Sequence, residues 1–157
     1  QLLNIQQSLL LLLFLYYLLQ IQNFLLVNLI IEFMMAGKKA MEMSDFVAAY
    51  SYFDNGITFL RKKHWEEHYT LSLELFNLAA NCAFANGDTI SLKLLSQQVM
   101  KKAQSFEDTL NVTYFITCSL IYSSRLPVAV EKGLDILSQL GIDLRGLHPV
   151  LDARHSK

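Results

Sequence analysis

The chain has 157 residues, enough for one domain with a substantial core. Hydrophobic residues make up 53% and charged residues 17%, so it is more apolar than an average soluble domain. With 13 basic against 14 acidic side chains there is no electrostatic case for nucleic-acid binding, and six glycines and two prolines leave too little punctuation for a β-rich fold. The short basic clusters Lys38-Lys39, Arg61-Lys62-Lys63 and Lys101-Lys102 read as solvated helix ends. Cys82 and Cys118 lie inside apolar periodic stretches, which suits small buried thiols better than a disulfide or a metal cluster. An all-α fold is expected.

In chain order, the first segment (1–29) is leucine-rich, and the first charged residue is Glu32. Its length and hydropathy make residues 8–29 a candidate membrane span, with Lys38-Lys39 then placing the remainder on the cytoplasmic side. Gln20, Gln22 and Asn23 interrupt it near the centre, where polar groups are costly unless they face partners. No basic residue precedes the tract as in a signal peptide, and the sequence opens on Gln. The other readings are a buried helix of a larger protein or a stretch of doubtful translation.

From about residue 30 the chain repeats a pattern: a turn, then apolar residues at helical spacing. Aligning Ser44, Gly87 and Ser124 as the turn position places Ala49, Leu92 and Ala129 five residues on and Gly56, Val99 and Ile136 twelve on. Small residues, Gly37, Ala80 and Thr117, stand seven before. Small residues at those places let antiparallel helices approach closely, and turn separations of 43 and 37 residues are near the periods of helix-turn-helix solenoids. The predicted helices run at about 30–43 and 46–62, with Ser44 as cap, then about 67–85 after a loop through His64. They continue at about 89–103, introduced by Asn86-Gly87-Asp88, at about 107–123 after Ser105, and from Pro127 to Gly141. Residues 145–157 read as a frayed tail in which His148 and His155 have no partners.

The spacing His64-x-x-Glu67-His68 fits the H-x-x-E-H arrangement of inverted zinc peptidases, with two imidazoles on one helix face and a carboxylate to activate water. Such a hydrolase needs a third ligand and a larger framework. The downstream carboxylates Glu74, Glu107 and Glu131 each fit exposed helical positions, so this reading ranks last. Trp65 and Tyr69 are expected to pack together, Tyr52, Phe53 and Phe59 to fill grooves, and Glu66 and Glu67 to favour a helix N-terminus. The sequon Asn111-Val-Thr113 falls in a predicted helix and is taken as chance.

The runs "AGKKAMEMSDFVAAYSYFDNGITFL", "HWEEHYTLSLELFNLAANCAFANGD", "VMKKAQSFEDTLNV" and "AVEKGLDILSQLGIDL", from Ala36 to Leu144, resemble the TPR-like region of large signalling proteins. In that family a serine/threonine-kinase-like domain is followed by an AAA/STAND-type ATPase, this helical region and often a histidine kinase. The resemblance implies a TPR-like α-solenoid of about three antiparallel helix pairs over residues 30–144, preceded by a Leu-rich N-terminal helix. It implies a fragment that serves interaction or regulation in the cytoplasm, with membrane association through residues 8–29 as the alternative. No Walker, H-R-D or D-F-G motif occurs, so catalysis and cofactor binding are assigned to no residue here. An isolated 30–144 fragment is expected to self-associate through unpaired end faces. Asn77, Asn81, Lys93, Gln97 and Asn111, polar residues on otherwise apolar helices, are the candidate partner-binding face.

Overall fold

The computed structural model describes residues 2–142 and 144. Among these, every regular element is helical: α1 (Leu2–Glu42), α2 (Phe46–Thr58), α3 (His64–Glu67), α4 (Tyr69–Ala85), α5 (Thr89–Lys102), a 3-10 turn at Glu107–Thr109, α6 (Leu110–Tyr122) and α7 (Leu126–Gln139). The all-α expectation holds. The tail 145–157, with His148 and His155, lies outside the described residues.

Four details differ from the expected layout. The helix expected at about 30–43 is the C-terminal end of α1, which runs unbroken from Leu2. Gln20, Gln22 and Asn23 would trouble a bilayer, but no Pro or Gly precedes Gly37, so nothing disrupts the helix itself. Helix α2 stops at Thr58, where the Thr58 hydroxyl donates to the Asn55 carbonyl and the Phe59 N–H bonds back to Gly56 and Ile57. The expected 67–85 helix is divided at His68, whose extended φ of −137° separates the short α3 from α4. Ser44 is no cap: Asp45 accepts the Ala48 N–H, and Ser44 sits one residue earlier in a left-handed conformation.

The three aligned turn residues share that conformation, with φ of 61° at Ser44, 71° at Gly87 and 58° at Ser124. Each turn also makes the same bonds. Ser44 N–H donates to Met41 and Asp45 N–H to Ala40; Gly87 donates to Phe84 and Asp88 to Ala83; Ser124 donates to Ile121 and Arg125 to Leu120. This is the Schellman arrangement, which satisfies the last carbonyls of one helix while reversing the chain. The start of the next helix also recurs in part: Asp45 and Asp88 each cap it through a side-chain oxygen, and the third turn uses Pro127 in the first turn of α7. Helix α7 ends at Gly141 with the same bonding pattern.

Helices meeting at these turns pack side by side: α1 with α2, α4 with α5 and α6 with α7. Adjacent pairs join through α2 against α4 and through α4 and α5 against α6. The Asn86 side chain donates to the Phe46 carbonyl, tying the second turn to the start of α2. Helix α4 is central: Ser72, Leu75, Phe76, Ala79, Ala80, Cys82 and Ala83 are buried along one side, and Leu71, Leu73, Asn77, Leu78, Asn81 and Phe84 are half-buried on the other. A helix covered on both sides belongs to the core. Phe53, wholly buried, lies on Gly37, where a Cβ would overlap the ring.

The aligned positions grade along the chain. Ala49, Leu92 and Ala129 are all buried. Gly37 and Ala80 are buried while Thr117 is half-buried, and Gly56 and Val99 are buried while Ile136 is half-buried. Exposure rises at the third pair because α7 packs chiefly against α6.

Candidate functional site

On α5 the buried residues Leu92, Leu95, Ser96 and Val99 form one helical stripe. The opposite stripe, Ile90, Lys93, Leu94, Gln97 and Met100, is exposed at spacings of three and four, and therefore faces a common direction. Because α7 packs against α6 and not on α5, this stripe, α6 and the start of α7 enclose an open groove of about 780 Å³. Ile116 and Leu120 contribute its floor from α6, and Arg125, just before α7, and Lys132, within it, contribute cations. Among the described residues no acidic side chain lines it. Aliphatic floor and cationic rim suit a partner that offers apolar side chains between carboxylates.

Of the five expected face residues, Lys93 and Gln97 line this groove together. Asn111 is exposed on α6 outside the groove lining. Asn77 and Asn81 are half-buried on α4, and the Asn77 Oδ1 is buried without a hydrogen-bond partner. Polar residues on an apolar helix thus divide between a groove edge and the interior. Sequence reasoning missed Arg125 and Lys132. They stand seven apart across the start of α7, so the signal available was their shared register.

The His64–His68 region does not take the form of a zinc site. His64 Nδ1 lies 2.8 Å from the Ser72 hydroxyl, and its ring stacks parallel on Phe76 at 5.9 Å and tilts against Trp65. Burial, then the nearby Lys102 ammonium, lowers its pKa and favours neutral imidazole. Trp65 and Tyr69 pack at 5.9 Å as expected, although the His68 break separates their helices. Among the described residues no three His, Cys, Asp or Glu side chains converge as a ligand set. Glu74 pairs instead with Lys38 across α1 and α4, and Glu107 and Glu131 are exposed.

Three smaller groupings lie outside the groove. The Tyr69 hydroxyl donates to Asp108 at 2.7 Å and accepts the Gln104 N–H, pinning the linker before α6 to the start of α4. That hydroxyl bond, with those from Ser105, lowers the Asp108 pKa. Phe59 stacks on Phe33 and Phe53 fills the α1–α2 interface, whereas Tyr52 is exposed. In the Asn111-Val-Thr113 sequon, Thr113 is buried and its hydroxyl donates to the Thr109 carbonyl.

Comparison of the chain with protein-family models, curated proteins and solved structures found no match.

Proposed function

We propose that residues 30–144 are a noncatalytic, TPR-like interaction segment: about three antiparallel helix pairs stacked as an α-solenoid that holds a partner protein in the α5–α6–α7 groove. The observation that carries this reading is the recurrence of one left-handed turn with one bonding pattern at all three aligned positions, Ser44, Gly87 and Ser124. A chain that reuses a turn geometry at near-constant spacing is building a structural repeat. In the resembling family this region belongs to a kinase- and ATPase-bearing signalling protein, and the proposal extends to that setting. Placing a photo-crosslinking residue at position 97 of the full chain tests it in the native cell. A protein adduct that is absent from the same probe at Asp54, on α2, is expected. Equal labelling from both positions, or none from 97, would count against the groove.

A second reading, a membrane-anchored helical protein, is favoured by one specific observation. The stretch of α1 from Leu9 to Phe24 leaves its large apolar side chains 46–67% exposed. The window meeting the length and hydropathy of a span lies in Gln7–Glu42 and is 0% buried. Resistance to carbonate extraction is the expected outcome; full release would remove the anchor.

A further inference from the structure

The membrane-anchored reading acquires a second element from the place where α1 joins the body. Residues 9–19 are apolar on every side of the helix, apart from the hydroxyls of Tyr16 and Tyr17. A protein partner covers one face of such a helix and leaves the rest in water, whereas lipid covers all of it. From Leu9 to Leu19, the apolar stretch beyond Gln20, the helix is about 16 Å long, close to the hydrocarbon depth of one bilayer leaflet. The body meets this helix in a small cleft where Asn23, Leu26 and Val27 of α1 face Leu60, Arg61 and His64. Arg61 lines that cleft together with Glu67 and His68, and Lys62 and Lys63, next in the chain, are exposed, so a run of three cations begins beside Asn23 at the foot of the bare helix.

We propose that the Arg61–Lys62–Lys63 loop is a contact for anionic lipid headgroups, positioned by insertion of the preceding stretch of α1 into the bilayer. The proposal rests on the membrane-anchored reading and adds a headgroup site to it. With the loop in the headgroup layer, Gln20, Gln22 and Asn23 lie within about a turn of that layer and keep polar neighbours. Glu66 and Glu67 come after the loop and oppose part of its attraction for anionic lipid, so the contact is carried by the small cationic surplus that remains. Lys102, close enough to bear on His64, adds a cation to the same end of the body.

Flotation of the full chain with vesicles tests this. Phosphatidylcholine vesicles are compared with vesicles that also contain phosphatidylserine, at low and high salt. Wild type should bind both, with an excess on the anionic vesicles on the order of tenfold that salt collapses. Arg61→Gln/Lys62→Gln/Lys63→Gln should keep binding to neutral vesicles and lose the excess. Lys38→Gln/Lys39→Gln, whose exposed charges lie about 22 Å further along α1, should keep the excess. Equal wild-type binding to both vesicles, or an excess that survives the loop substitutions, overturns the headgroup contact and leaves the insertion standing. Failure to bind neutral vesicles overturns the insertion, and the proposal with it.

Discussion

One helix contains two regions that differ sharply in what lies beside them. Residues 30–42 of α1 bury Ile30, Met34 and Gly37 against α2, whereas residues 9–25 carry a richer run of leucine with only Asn23 even half-buried. Both are helical, since leucine favours the helix with or without neighbours. The difference teaches that apolarity builds the helix in both places but supplies core stability only where a second surface is shaped to receive it. Gly37 and Phe53 make such a fit. The bare stretch has no counterpart among the described residues, and an exposed apolar surface of that size calls for lipid or association.

The largest contrast is expected from truncating one side chain in each region. Phe53→Ala empties a wholly buried ring site beside Gly37 and should cost about 3–5 kcal/mol in denaturant unfolding. Leu12→Ala, on a residue 65% exposed, should stay within about 0.5 kcal/mol. A Leu12→Ala loss approaching that of Phe53→Ala would show that the bare stretch packs on something in solution, with a second copy the first candidate. Sedimentation of the same samples distinguishes that case.

Gly37→Ala sharpens the packed side. The added methyl meets the Phe53 ring, which has no solvent to move into. Overpacking costs about 1–3 kcal/mol, and the helix propensity gained from alanine returns about 1 kcal/mol. A net loss of up to about 2 kcal/mol is therefore expected by chemical denaturation. A gain would mean that α1 and α2 have slack between them. Gly133→Ala, with open space around the position, is the control and should be neutral or stabilising.

Much of this architecture is legible in the sequence alone. The alignment of Ser44, Gly87 and Ser124 finds the turns, and the small residues seven positions earlier mark where helices approach. That information is local: a turn residue and its flanking apolar spacing are set by nearby backbone sterics. Two other features are not local. Ser44 looks like a cap because serine usually is one, yet Asp45 is the better acceptor and displaces it. The candidate face fails to form one surface because exposure depends on neighbouring helices; Asn77 and Lys93 look alike in sequence, but α4 is central and the outer stripe of α5 is not.

The packed end of α1 finishes in the Ser44 turn, where a smaller effect separates backbone strain from packing. A non-glycine residue at positive φ is strained by about 1 kcal/mol. Ser44→Gly should raise stability by up to about that amount, and Gly87→Ala, where nothing surrounds the missing Cβ, should lower it similarly. Thermal melts that moved in the same direction for both would contradict a shared turn geometry.

His64 lies where the bare and packed stretches meet, in the cleft with Asn23 and Ile30, and gives the subtlest test. Burial, reinforced by Lys102, lowers its folded pKa beneath the ordinary value of 6.5, so the folded state prefers the neutral ring. Between the two pKa values the unfolded chain binds more protons, and stability rises with pH. His64 should therefore contribute its full stability above about pH 6.5, and that contribution should fall away as pH drops through the lowered folded pKa. Melting midpoints measured from neutral to mildly acidic pH should slope downward in wild type and flatten in His64→Gln. A slope that survives the substitution would assign the acid sensitivity to other groups. An opposite slope in wild type would mean that the charged imidazole is the stabilised form, and would return a ligand or carboxylate partner for His64 to consideration.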